Sequence, residues 1–239
     1  MRSVSWIFVP VLVSFFLASV FTAEAQTVVI AEDMAEQEED LDFGMNRKHY
    51  THSYFGLNFT AGPPELSGAG IRYGRSRTIE YGYRYKRRLS NTFSFGSEII
   101  ARRYAFHVSQ SEEKTVPDDI IKDREKLVFL DAGLGVYKRI NFGQRGNYIG
   151  RFVDAGAYAS WIFHSRHVYF YEEEGLDIRV RINNPKYPET FNYGLMARLG
   201  FNNIVIKATY RMSDLFKDSA ELPEFPRYSV GLEIGLHPF

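Results

Sequence analysis

The last thirteen residues, RYSVGLEIGLHPF, alternate strictly, and this constrains the fold more than any other feature of the chain. Tyr228, Val230, Leu232, Ile234 and Leu236 form one set; Ser229, Gly231, Glu233, Gly235 and His237 form the other. Successive side chains of a strand point to opposite faces of its sheet. One face of this strand therefore meets something apolar. The other carries a carboxylate and two glycines.

The same period of two runs from Tyr50 to the end and marks eight strands. The apolar face is carried by Phe55, Leu57 and Phe59; Ile79, Tyr81 and Tyr83; Phe93, Phe95 and Ile99; Val128, Leu130, Ala132 and Leu134; Val153, Ala155, Ala157, Ala159, Trp161 and Phe163; Phe191, Tyr193, Leu195 and Leu199; Ile204, Ile206 and Ala208; and the terminal run. Connections alternate in length. Ser90-Asn91, Asn141 to Asn147 and Asn202-Asn203 are short and contain Asn or Gly, which tolerate positive φ. Gly62–Ser76, His107–Lys126, His164–Thr190 and Ser213–Arg227 are long. Short turns at one end and long loops at the other are the pattern of outer-membrane barrels. The expected fold is an eight-stranded antiparallel transmembrane β-barrel with both termini on the short-turn, periplasmic side. Val168 to Ile182 could hide two further strands. There HVYFY and LDIRVRI flank the turn YEEEG, as a hairpin rising above the bilayer would. Its edge could bind a partner, or it could be a plain extension of the barrel.

The opposite face of the same strands holds many glycines. It also holds five acids (Glu80, Glu98, Asp131, Asp154, Glu233) and six bases (Arg84, Arg102, Arg139, Arg198, Lys207, Arg211). In a water-facing sheet, interior glycine weakens the strand for no gain. In a closed eight-stranded barrel the interior is only wide enough to be filled by side chains. Glycines then make room for long ions and for Tyr54, Tyr137 and Tyr158. The near balance of charge allows pairing, without which each buried ion costs several kcal/mol. The eleven ions are read as a lumen network. Leu57, Leu130, Leu134, Trp161, Leu195, Ile206, Leu232 and Ile234 are read as lipid-facing. A soluble barrel, with the polar face to water, is the competing arrangement. A diffusion pore is disfavoured, because eight strands leave no open channel once filled.

Residues 1–25 read as a secretory signal peptide: Arg2, an apolar run from Trp6 to Phe21, then Ala23-Glu24-Ala25. The alternative of a membrane anchor requires about 20 apolar residues, longer than this run. Residues 26–49 hold Glu32, Asp33, Glu36, Glu38, Glu39, Asp40 and Asp42. They read as an acidic periplasmic leader, a solvated tail or a partner-binding segment, ahead of the barrel at 50–239. The formal net charge of zero argues against nucleic acid as a partner. The absence of cysteine excludes disulfides and thiolate metal sites.

Chemistry-bearing candidates are few. His107 and Ser109 share a strand face near the long-loop end, with Glu112 and Glu113 following. A His–Ser–carboxylate set is what a lipid hydrolase needs, although the residues that should flank such a pair are missing. His164 and His167, three apart on a strand, point to opposite faces, so shared metal ligation is not expected. GAGIRYGR (68–75) lacks the strand-to-helix context of a nucleotide loop. No catalytic residue, cofactor or metal is assigned.

LSNTFSFGSEIIARRY (89–104) resembles the turn-plus-strand of the Bacteroidota outer-membrane β-barrel superfamily, and YRMSDLFKDS with LPEFPRYSVGLEIG is similar to its last hairpin. That superfamily includes the PorT-like accessory proteins of type IX secretion. The layout from 50 to 239 also resembles the OmpX and OmpA barrels of Gram-negative bacteria. The resemblance implies an outer-membrane location, outer-membrane lipid and the barrel assembly machinery as partners, and an accessory role in an envelope or secretion complex. It implies no catalytic residues. Phe239 is similar to the terminal aromatic by which such barrels are recognised during assembly, although Pro238 shifts it to the other parity. A lipid A deacylase-like hydrolase using His107 and Ser109 is the alternative.

Overall fold

The computed structural model describes residues 44–64, 68–142 and 150–236. The expected signal peptide, most of the acidic leader, part of the Asn141–Asn147 turn and Phe239 lie outside them. Every described residue belongs to one compact unit within Asp40–Phe239.

Among the described residues nine strands follow in order: β1 (His49–Ala61), β2 (Arg77–Arg88), β3 (Phe93–His107), β4 (Arg124–Phe142), β5 (Arg151–Glu173), β6 (Leu176–Asn183), β7 (Phe191–Phe201), β8 (Ile204–Arg211) and β9 (Tyr228–Leu236). All pairings are antiparallel. Eight strands close a ring, β1-β2-β3-β4-β5-β7-β8-β9 and back to β1, and β6 hangs on β5 alone. The ring shuts at β1–β9, where Leu57 lies opposite Leu232 and Phe55 opposite Ile234. Closure leaves no unpaired edge within the ring. The fold is an eight-stranded antiparallel barrel, as the alternation required.

The sequence left open whether Val168 to Ile182 hides further strands, and β5 settles it. Its first half pairs with β7, from Arg151↔Phe201 to Trp161↔Phe191. Its second half pairs with β6, from Arg166↔Asn183 to Glu173↔Leu176. Glu174 and Gly175 form the tip with φ of 53° and 79°, the two-residue turn that suits a twisted hairpin. HVYFY and LDIRVRI are thus its two arms.

A register shift separates the halves of β5. Leu130 pairs with His164, but the adjacent Asp131 pairs with Ile162, so Phe163 is extra. A bulge of this kind re-aims the side chains beyond it. Inward residues are even-numbered up to Ile162 and odd-numbered afterwards, where Ser165 and His167 are buried.

Candidate functional site

The barrel interior has two storeys. The lower one is ionic and is built by register. Arg84 lies opposite Glu98, Arg102 opposite Asp131, Arg139 opposite Asp154, and Asp154 opposite Arg198. Arg84 donates to Glu98 Oε2 and to Glu233 Oε2, each at 3.0 Å. Arg198 also donates to Glu98. Its Nε lies 3.4 Å from Glu233 Oε1, which is 3.1 Å from Lys207 Nζ. Lys207 in turn donates to Glu80. Arg139 grips Asp154 with two bonds of 2.7 and 2.9 Å. Arg102 grips Asp131 at 3.1 and 2.7 Å and reaches Ser160 at 2.7 Å. Two-pronged arginine–carboxylate bonds are the strong, directional kind.

Burial makes this pairing obligatory. Arg84 and Arg198 are each 1% exposed, Glu98 2% and Glu233 0%. A charge left alone in such a place costs several kcal/mol.

The glycines of this face admit the aromatics. A Cβ on Gly82 would sit 2.4 Å from Tyr54 Cζ, and one on Gly96 2.3 Å from the Tyr137 ring. Tyr54 lies directly opposite Gly82, and Tyr137 opposite Gly96. Arg84 lies 4.1 Å over the Tyr54 ring, and Arg102 4.4 Å over Tyr158. The rings thus also present negative faces to the guanidinium groups.

Two partners in this layer were not singled out in the sequence. Arg211, the sixth base, is matched by a sixth acid from the last long loop: it donates to Glu224 Oε2 at 2.8 Å and to the Phe225 carbonyl at 3.2 Å. Glu224 Oε1 accepts from the Leu215 and Phe216 backbone N–H groups. Glu224 sits among prolines outside any alternating run, so parity gave no signal. Lys86, fully buried, shares the face of Arg84 and donates to the Met45 carbonyl. Its parity could have revealed it.

The upper storey departs from the sequence expectation of a polar lumen throughout. Phe106, Leu127, Phe129 and Ile162 face inward at the long-loop end, and the loops fold down Ala69, Ile71, Val116, Leu215, Phe216 and Phe225 upon them. The Phe106 and Phe225 rings stack at 4.9 Å, and Phe216 meets Phe225 edge-on at 5.3 Å. The physical reason is depth: strands longer than the apolar belt carry the lumen beyond it, where loop side chains can fill it. A void of about 40 Å³ between the storeys is bounded by Asn58, Thr78, Arg102, Tyr158 and Arg211 among others, room for a water or two.

The outside is the inverse. Leu134 is 65% exposed, Trp161 63%, Ile99 62% and Leu232 53%. Ile206 and Ile234 are exposed as well, and Leu57, Leu130 and Leu195 are half-exposed on the same face.

Beyond the belt, Glu125 holds down the β3–β4 loop. Its carboxylate is 2.6 Å from His167 Nε2, 2.8 Å from Lys114 Nζ and 2.9 Å from Lys122 Nζ. Gln110 donates to it at 3.0 Å. Burial pushes the carboxyl up, but the hydrogen bonds from His167, Lys114, Lys122 and Gln110 outweigh it and hold the pKa at about 2. His167 thus faces Glu125, whereas His164 contacts Arg166 at 3.3 Å on the other side. Among the described residues the two histidines share no partner.

His107 ends β3 opposite Lys126. Its backbone N–H donates to Ser76 Oγ. Burial lowers the His107 pKa, and so do Lys126, Arg75, Arg77 and Arg72 around it. Ser109 donates its backbone N–H to the Gly70 carbonyl. Among the described residues no carboxylate orients this imidazole.

No protein-family model matches the chain, and no curated protein matches it either. Solved structures do. Ail, the attachment invasion locus protein of Yersinia pestis, is similar over 79% of this chain and 95% of its own, at 12% identity and a TM-score of 0.34. Ail in complex with the heparin analogue sucrose octasulfate is similar over 77% and 94%, at 13% identity and a TM-score of 0.33.

Proposed function

We propose that this chain is an integral outer-membrane protein whose sealed barrel serves as a structural or accessory subunit of an envelope complex. The observation that carries the reading is the inversion of the barrel: aliphatic and aromatic side chains outside, matched ions inside. A closed barrel satisfies its backbone groups internally, which a hydrocarbon medium demands. In water the exposed belt would be a large apolar surface with nothing to cover it. The short turns and both termini then lie in the periplasm, with the acidic leader there and the β5–β6 hairpin and long loops outside the cell. Contact with the complex runs through those loops or the leader.

The filled interior supports a non-conducting role. The ring of cations around His107 supports a non-enzymatic one, because a serine nucleophile needs an imidazole that can accept and hold a proton. The lipid hydrolase alternative rests on Ser109: loss of a lipid-cleaving activity in Ser109→Ala would restore it. The accessory role is tested by affinity purification in mild detergent after membrane fractionation. Recovery in the outer-membrane fraction with stoichiometric envelope proteins is expected. Recovery in the aqueous periplasmic fraction without detergent would end the reading.

A further inference from the structure

Six cations inside the barrel are paired with carboxylates; a second set, outside it, is not. Arg103 lies opposite Leu130, and Leu130 opposite His164. One step higher, Val128 lies opposite Arg166. Higher again, Lys126 lies opposite Val168, and Val168 opposite Arg181. Arg124 and Arg179 flank Phe170, with guanidinium carbons 4.9 and 5.5 Å from its ring. Parity puts all of these on the outward face, on three adjacent strands and the base of the hairpin. None of Arg103, Lys126, Arg166, Arg179 and Arg181 has a carboxylate within ion-pair distance among the described residues. Val168, between Lys126 and Arg181 on the outward face, is only 1% exposed. The acids of the hairpin, Glu172, Glu173, Glu174 and Asp177, lie at its tip, beyond Phe170 and Arg179.

Like charges set side by side across strands destabilise a sheet. Burial lowers the Lys126 pKa, and the Arg103, Arg179, Arg166 and Arg181 guanidinium groups lower it further. Such a cluster persists where an anion neutralises it. Its height identifies the anion. The band begins immediately above Trp161, Phe163 and Leu134, the exposed apolar side chains of the same strands. At that level a hydrocarbon belt gives way to lipid headgroups.

We infer that this outward cation band is a binding site for the phosphate groups of a phosphorylated glycolipid in the outer leaflet. The inference rests on the membrane reading above and adds its lipid specificity. Arginine is suited to the task, because its planar fork matches phosphate geometry. β6 supplies two of the six cations, Arg179 and Arg181, which gives it a role in addition to extending the barrel.

The test uses the whole barrel in uncharged maltoside micelles, titrated with bisphosphorylated lipid A, with its dephosphorylated counterpart and with inorganic phosphate. The phosphorylated lipid is expected to bind at least about tenfold more tightly than the dephosphorylated one. The triple variant Arg103→Gln/Lys126→Gln/Arg166→Gln is expected to lose on the order of a hundredfold, from roughly 1 kcal/mol per cation near an anionic surface. Glu172→Gln, at the hairpin tip, is expected to leave binding unchanged. Equal affinity for the two lipids would overturn the inference, even if the triple variant does not fold. So would displacement of the lipid by millimolar inorganic phosphate, which would assign the band to a free anion. Either result in a protein that still fractionates with the outer membrane leaves the membrane reading standing.

Discussion

Arg84 on β2 donates to Glu233 on β9 at 3.0 Å, across the intervening β1 and 149 residues apart in the chain. The bond ties the last strand to the second through the lumen, beside the seam where the ring closes. Removing either partner leaves a buried ion short of its match. Arg84→Ala and Glu233→Ala are each expected to destabilise the barrel by about 3–5 kcal/mol. The double variant is expected to lose less than the sum, by a coupling of about 0.5–3 kcal/mol. Urea unfolding in phospholipid vesicles measures all three.

Space for the lumen rings is set by glycine. Gly82→Ala would place its Cβ 2.4 Å from Tyr54 Cζ, in a ring that is 0% exposed. A loss of about 1–3 kcal/mol is expected from overpacking. Tyr54→Leu in the same chain removes the clashing atoms and is expected to recover part of it. The same unfolding assay decides; a Gly82→Ala barrel of unchanged stability would contradict the packing.

The apolar cap can be opened without emptying the ionic layer. Phe225→Ala removes a ring that touches both Phe106 and Phe216. It is expected to cost about 3–5 kcal/mol and to expose the 213–227 loop to protease. Planar-bilayer recordings are expected to show no steady conductance, since the arginine–carboxylate layer still fills the bore.

Acid is expected to release the β3–β4 loop before it unfolds the barrel. The Glu125 pKa falls from its ordinary 4.5 to about 2 in the folded chain. A depressed carboxyl stabilises the fold fully above its unfolded value and loses that contribution as pH falls toward its folded value. Hydrogen-exchange protection of residues 108–123 should therefore hold above about pH 4.5 and decay between there and about pH 2. Glu125→Gln is expected to abolish that decay and to leave the loop less protected at neutral pH.

The barrel was legible because a filled lumen writes a period of two into the chain. Glu98, Arg198 and Glu233 share the inward parity that their sequence spacing indicates, and Leu134, Trp161 and Leu232 share the outward one. The β5–β6 hairpin was harder to read, because the extra residue at Phe163 changes the inward parity from even to odd within β5. Its turn chemistry was visible, but its pairing was not. The apolar cap was hidden for another reason. Leu215, Phe216 and Phe225 come from loops, where no period shows which way a side chain points. Glu224 belongs with them: only the folded loop brings it to Arg211.

Trp161 gives the most direct test of which face meets lipid. The sequence holds two tryptophans, at positions 6 and 161. In a chain lacking Trp6, the fluorescence comes from Trp161 alone, a side chain 63% exposed on the outward face. The barrel is refolded into vesicles whose lipids carry bromine on their acyl chains. Strong quenching by the bromines, with little quenching by aqueous iodide, is the result expected. Fluorescence untouched by the bromines and readily quenched by iodide would contradict the outward, lipid-facing orientation.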